Sequence, residues 1–306
     1  MILNHVEIEE TYAEGFRLYG SRILITADSI ELAKVAAANV TGYATSTIHC
    51  DCEAGIDKVY DSTETPDHRP GVSVIFCIQK KEKVDEVLLN RIGQCVLTSA
   101  STACFDWFPE DVLNDKTFSV KTGYKLKFFG DGFEQKNELK WKGEFLPLWK
   151  IPMMDGYFTI QESFKVTKII AGGNFLVFSN NTSEIITACQ QAVTKMNDIE
   201  GIVLPFPGGF VRSPSKVGSK YKFLSASTNE ILSPVLRDQI DNSNVPSTAQ
   251  TGYEFIINGF TQKRVELAMK EGITSLCTNP SVVKISAGNY GGKLGKIIFD
   301  LKKILS

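Results

Sequence analysis

The chain has no surplus of charge of either sign. It carries 33 Lys and Arg against 35 Asp and Glu, a formal charge of −2 over 306 residues. Such a balance leaves no electrostatic footprint for nucleic acid and no broad basic face for an anionic membrane. No run approaches the roughly 18 consecutive apolar residues that a bilayer span requires. The opening MILNHVEIEE is acidic, with no basic segment leading into an apolar one, so a cytoplasmic protein without a leader is expected. There are three histidines, and the seven cysteines include no Cys-x-x-Cys pair. An odd set of thiols with that spacing absent fits a reducing compartment rather than a disulfide framework. Only His49, Cys50 and Cys52 look metal-like. Without a second ligand pair they are read as a strand end, and no metal is expected. No Gly-x-Gly-x-x-Gly follows the first strand candidate and no Gly-x-Ser-x-Gly elbow occurs, which argues against a dinucleotide site and a serine hydrolase.

With 43 % hydrophobic residues the chain can bury a sizeable core, and its pattern repeats. In the first half, 22–27 (RILITA) reads as a strand, Asp28 and Ser29 as caps of a helix over 30–40, and 44–49 as a second strand. A strand at 72–78, a helix at 82–92 and a strand at 94–97 follow. In the second half the order recurs as 174–179, 184–198, 202–204, 253–258, 262–271 and 282–286. Each half thus reads β-α-β-β-α-β. The fold class expected is α+β, two similar ferredoxin-like (split βαβ) lobes over 1–150 and 151–306 with long inserted loops. The connection 205–252 is expected to be ordered beside a site, with a helix at 230–240, and the insertion 101–150 to hold a strand at 123–129.

Three glycine clusters stand beside strand ends: AGGN (171–174), FPGGF (206–210) and AGNYGGKLG (287–295). Any one alone is a tight turn; three together are placed to line a pocket, because glycine lets a ligand approach the backbone. The last fails the phosphate-loop pattern, since Tyr290 occupies its first glycine position and Ile297 follows Lys296. Glu254, inside the strand YEFIIN, is either buried with a raised pKa or turned to solvent by alternation. KLKFF (125–129) could stack a base, but an amphipathic strand edge is favoured. Residue chemistry alone leads to a duplicated α+β protein with glycine-lined loops.

Nine strings in order are similar to the formylmethanofuran–tetrahydromethanopterin formyltransferase family: TYAEGF (11–16), ETPDHRPG (64–71), RIGQCVLT (91–98), KLKFFGDG (125–132), IAGGNF (170–175), PFPGGF (205–210), KYKFL (220–224), YEFIING (253–259) and KISAGNYGGKLGK (284–296). The resemblance implies transfer of a formyl group from formylmethanofuran to N5 of tetrahydromethanopterin in one-carbon metabolism and methanogenesis. It also implies no bound cofactor, the two carriers being substrates, and a homo-oligomer, most often a tetramer. Glu254 matches the family's catalytic glutamate. Candidate carrier-binding residues are Phe129, Asp131, Gly172, Gly173, Asn174, Pro207, Gly208, Gly209, Lys216, Asn289, Tyr290 and Gly291, with Asp131 and Asp155 as reserve acids. Departures from the family are His68 in place of a glycine, Pro214 before Lys216, Tyr157 in place of an acid and a longer 131–150 segment. Two alternatives stay open: a subunit of a formyltransferase/hydrolase complex that releases formate, and a non-catalytic pterin-binding paralogue.

Overall fold

The computed structural model describes residues 1–212 and 214–306. The chain is α+β and divides into two compact units. One comprises Met1–Phe16, Thr45–Cys50 and Ile170–Ser306, the other Arg17–Ala44 and Asp51–Ile169. Among the described residues no helix is long and apolar enough to cross a membrane.

The second of these units is built on β1 (Tyr12–Thr26, from Arg17 onward), α1 (Ile30–Thr41), β2 (Glu53–Tyr60), β3 (Gly71–Ile78), α2 (Val84–Arg91) and β4 (Ala103–Asp106). The strand order is β2-β3-β1-β4, each neighbour antiparallel. Ser29 starts α1 by accepting the Leu32 N–H at 3.3 Å, as the cap signal requires. Ala33, Ala36, Ala37 and Val40 form its buried stripe, and these small residues let the helix press onto Ile23, Ile25, Val74 and Phe76. Beyond β4 a hairpin of β5 (Gln135–Trp141) and β6 (Glu144–Met153) leads into β7 (Gly156–Gln161), which runs parallel to β4.

Three expectations fail in this unit. The second strand is Glu53–Tyr60, whereas 44–49 is irregular and closes on local turns such as Thr47 N–H to Thr45 O at 2.8 Å. As an edge strand, β2 buries the charged Glu53 and Asp57 and exposes Ile56 and Val59, so its sequence shows no apolar alternation. The segment 94–97 is not a strand: α2 continues into a π-helical turn, Ile92–Val96, because Val84, Val87, Leu88, Ile92 and Val96 keep a helical spacing into the core. The expected strand at 123–129 is a short helix, α3 (Thr122–Leu126), followed by a 3-10 turn, Lys127–Gly130. Gly123 is the cause. A Cβ there would lie 2.0 Å from the Gln161 carbonyl oxygen, and its absence lets Tyr124 N–H reach Glu162 O at 3.0 Å.

The other unit repeats the strand order. β8 (Phe164–Ser179, from Ile170 onward), α4 (Glu184–Asn197), β9 (Ile202–Val203), β10 (Thr251–Gly259), α5 (Gln262–Leu276) and β11 (Val282–Ser286) give β9-β10-β8-β11, again antiparallel throughout. Residues 6–8 add a parallel strand beside β11, and 12–15 pair with 297–300. Thr261 caps α5 by accepting the Arg264 N–H. Buried residues of α4 and α5 cover Phe175 and Phe255, whose rings stack at 4.6 Å between centroids. The long 205–252 connection holds a two-stranded ribbon, 215–217 with 226–228. The helix expected at 230–240 is instead two 3-10 segments, Glu230–Leu232 and Pro234–Gln239. Pro234 has no N–H to donate and cannot continue a helix through that point.

The close approach at Gly123 gives the first prediction. Gly123→Ala should destabilise the chain by about 1–3 kcal/mol, the usual range for overpacking. Denaturant unfolding measures it, and a change below about 0.5 kcal/mol, typical of neutral surface substitutions, would contradict the contact.

Candidate active site

Strand β10 sends Phe255 and Ile257 into the core beneath α4 and α5. Alternation therefore turns Glu254 to the opposite face, as one of the two sequence readings held. That face is not open solvent. The Pro207–Gly209 turn carries the chain back so that Val211 N–H donates to Glu254 O at 2.8 Å and Glu254 N–H donates to Val211 O at 3.0 Å. Leu176, Phe178, Val211, Leu232 and Gly252 line with Glu254 an open recess of about 70 Å³. Glu254 is half-buried there. Among the described residues its carboxylate takes part in no ion pair or hydrogen bond, although Arg212 borders the same recess. Burial pushes its carboxyl up to about 7. A carboxyl poised near neutrality can accept and return a proton under physiological conditions.

A second carboxylate in the same unit has the opposite character. Glu14 is fully buried on β1, yet its pKa is lowered. Burial alone would raise it, but backbone N–H groups of Gly292, Leu294, Tyr290 and Gly295 donate to it and outweigh burial. Three of these bonds are short: Tyr290 and Gly292 to Oε1 at 2.7 Å, and Leu294 to Oε2 at 2.8 Å. Gly291 and Gly292 have φ of 68° and 77°, left-handed values that help aim successive N–H groups at one anion. The residue was missed because only its place in TYAEGF was noted. The legible signal was an acid between Ala13 and Gly15 at the start of a long strand.

The other sequence candidates fall into separate places. Gly172, Gly173 and Asn174 are buried in β8. The N–H of Gly172 donates to Asn258 Oδ1 at 3.1 Å, and Asn174 Oδ1 accepts the Gly288 N–H at 2.6 Å. A Cβ on Gly173 would meet Val265 at 2.3 Å, so the space beside it is filled by α5. Pro207, Gly208 and Gly209 form the turn that leads to Val211, the residue bridged to Glu254, and they do not line its recess. Lys216, on the ribbon, pairs with Glu230 at 2.6 Å. Asn289, Tyr290 and Gly291 lie on the loop held by Glu14. Tyr290 is 43 % exposed, and its phenol pKa is raised by burial and by the charges of Glu254 and Glu14.

Phe129 and Asp131 belong to the other unit, on the exposed turn after α3, where Asp131 is left-handed with φ of 50°. KLKFF is thus helical, neither a strand edge nor an extended base platform. In that unit Asp155 accepts the Ser101 N–H at 2.8 Å beside a polar recess of about 130 Å³ bordered by Asp28 and Arg69. Arg69 is engaged there by Asp67 at 2.9 Å and Asp28 at 3.0 Å. The described residues contain no group of three or more His, Cys, Asp or Glu placed to hold a metal ion.

Comparison with known proteins bears on these features. Residues 1–153 match the family model of formylmethanofuran-tetrahydromethanopterin formyltransferase, and residues 156–304 match the model described as "FTR, proximal lobe". A formylmethanofuran–tetrahydromethanopterin formyltransferase of Methanosarcina acetivorans is 46 % identical over 99 % of this chain and 100 % of its own length. One from Archaeoglobus fulgidus is 44 % identical over the same shares. Among solved structures, the formyltransferase of Methanosarcina barkeri superposes with a TM-score of 0.91 at 46 % identity, covering 99 % of this chain and 100 % of the other. A chain of the formyltransferase/hydrolase complex of Methylorubrum extorquens, solved with methylofuran, gives 0.93 at 35 % identity, covering 100 % and 99 %.

The raised value at Glu254 has a thermodynamic consequence. Its folded pKa lies above the ordinary 4.5, so the fold favours the protonated form. That contribution to stability is fully present below about pH 4.5 and is lost as pH rises through about 7. Glu254→Gln, neutral at every pH, should melt above the wild type at pH 8 and much closer to it at pH 5. Scanning calorimetry at the two pH values checks this; an equal difference at both would mean that the carboxyl is not desolvated.

Proposed function

The chain belongs to the formylmethanofuran–tetrahydromethanopterin formyltransferase family and is a formyltransferase, and we propose that Glu254 is the proton shuttle of its reaction. The observation that carries this is an acid half-buried in the YEFIING strand, without an ion pair or hydrogen bond to its carboxylate among the described residues, with its pKa pushed to about 7. The donor, formylmethanofuran, is a formamide and a weak electrophile. The N5 amine of tetrahydromethanopterin attacks the formyl carbon, and the C=O electron pair moves to oxygen. The tetrahedral intermediate must then expel the methanofuran amine, which leaves poorly unless protonated. Glu254 takes the proton from the attacking nitrogen and gives it to the leaving nitrogen, so it ends the cycle as it began. Holding two carriers in line supplies about 7–11 kcal/mol of the acceleration, and each donor to the oxyanion about 3–4 kcal/mol.

The turn Pro207–Gly209 and the loop Asn289–Gly291 are proposed to border the carriers, being the glycine-rich segments with open space beside them in this unit. Each unit's strand order, with two helices on its sheet, supports a ferredoxin-like description of the lobes. The protein is further proposed to act in the cytoplasm without a bound cofactor.

Glu254→Gln keeps size and polarity but cannot exchange a proton. Its kcat should fall about 10²–10⁴-fold with KM for both carriers little changed. Retention of more than about a tenth of wild-type kcat would remove Glu254 from this role.

Two assemblies fit the family: a homotetramer of closed symmetry, and association with hydrolase subunits, which the likeness to the Methylorubrum chain favours. The homotetramer is proposed. Light scattering on the purified chain should give four copies and full turnover without molar salt, given the small net charge. A chain inactive until hydrolase subunits are added would establish the second assembly instead.

A further inference from the structure

Glu14 spends a fully buried charge on a loop. No cation pairs with it among the described residues, and its acceptor capacity goes to backbone N–H groups of residues 290–295. Pairing of 12–15 with 297–300 puts Glu14 opposite Ile298, so the chain leaves β11, circles the carboxylate and returns beside it. The start of the loop is pinned separately by Asn174 Oδ1 on Gly288 N–H. Packing of a surface loop does not require this much, since a carboxylate buried without a counter-ion is costly unless fully hydrogen-bonded.

The register shows what the loop is held against. Leu176 on β8 lies opposite Glu254 on one side and Ser286 on the other. With strands about 4.8 Å apart, the end of β11 comes within about 10 Å of the Glu254 backbone on the same face. Tyr290 follows four residues after Ser286, and its phenol lies within the field of the Glu254 charge. We propose that Glu14 is a positioning residue and that Tyr290 is the group it positions: the clamped loop presents the Tyr290 hydroxyl beside Glu254, where it donates a hydrogen bond to the formyl oxygen as negative charge gathers there.

This inference rests on Glu254 being the reacting centre. The bond-making is unchanged by it. The pterin nitrogen forms the new C–N bond, the carbonyl pair becomes the oxyanion lone pair, and the proton still travels through Glu254. Tyr290 keeps its proton and lends only the hydrogen bond. A phenol raised above its ordinary value of 10 is protonated at neutral pH, as a donor must be. Glutamine cannot replace Glu14, because its amide presents a single acceptor oxygen and turns an NH₂ toward backbone donors.

The test is a set of steady-state measurements with both carriers on Tyr290→Phe, Glu14→Gln, the double variant and Glu254→Gln. Tyr290→Phe should lower kcat about 10²-fold, the size of one oxyanion donor, with KM little changed. Glu14→Gln should lower kcat in the same direction, and Glu14→Asp, which keeps the charge, should recover part of it. The double variant should be no slower than the slower single one, because the clamp acts through the tyrosine. Tyr290→Phe with kcat within threefold of wild type, or a double variant whose losses multiply, overturns the proposal. If Glu14→Gln does not fold, Glu14→Asp takes its place in the same cycle. An inactive Glu254→Gln beside a fully active Tyr290→Phe sinks only the clamp. An active Glu254→Gln beside an impaired Tyr290→Phe sinks only the proton shuttle.

Discussion

The register of β8 between β10 and β11 is the constraint on which the Glu254 unit depends. Phe175 and Val177 face the helices, while Leu176 and Phe178 face the recess beside Glu254. Both neighbouring strands take their phase from this one. A slip by a single residue would turn Glu254 into the core and Phe255 out of it. The pairing of β8 with β10 shifts between Ile170 and Gly173, at left-handed Gly172, whose N–H is held by Asn258. Asn174, just beyond the shift, ties β8 to the residue after Ala287. The bulge and the two asparagines fix the phase, and the acid's surroundings follow from it.

Two glutamates in one unit, Glu14 buried and Glu254 half-buried, show how partners decide whether burial raises a carboxyl. Glu14 is the more deeply buried, yet it stays ionised because backbone N–H groups replace its water. Glu254 has given up water on a face of leucine, valine and phenylalanine and received nothing in return. The first arrangement suits a fixed anchor and the second a group that must change state. Had Arg212 or any other cation paired with Glu254, the carboxyl would be held ionised and could not protonate a leaving amine near neutrality.

Much of this was legible in the chain. Ser29 stands where a cap should be, alanine spacing marks α1, and the repeated elements at 174–179, 184–198, 202–204, 253–258, 262–271 and 282–286 are read correctly. Glu254 was singled out by its strand and its motif, and its strand is where it was read. Features set by distant contacts were not legible. Residues 53–60 hide as a strand because charged Glu53 and Asp57 are buried while apolar Ile56 and Val59 face outward, which breaks the alternation. Residues 94–97 (QCVL) look like a strand because they end in a short apolar run, while Ile92 and Val96 continue the spacing of a helix that packs on the core. Gly123 is silent until the carbonyl of Gln161 is known to sit against it. Glu14 is the same kind of omission, since its partners lie more than 270 residues away.

That separation also orders events in time. The unit that holds Glu254 takes its strand 6–8 from one end of the chain and pairs it with 282–286, and it takes 12–15 and pairs them with 297–300. On the ribosome, residues 1–16 emerge first and have nothing of their own unit to pair with until the last turns of the chain are made. Residues 17–44 and 51–169 can meanwhile close their sheet, so the nascent chain carries one unit able to form and a waiting acidic segment, 1–16, with Glu14 still hydrated. A chain that ends between Ile169 and residue 290 therefore has all the residues of one unit and lacks the loop that Glu14 holds.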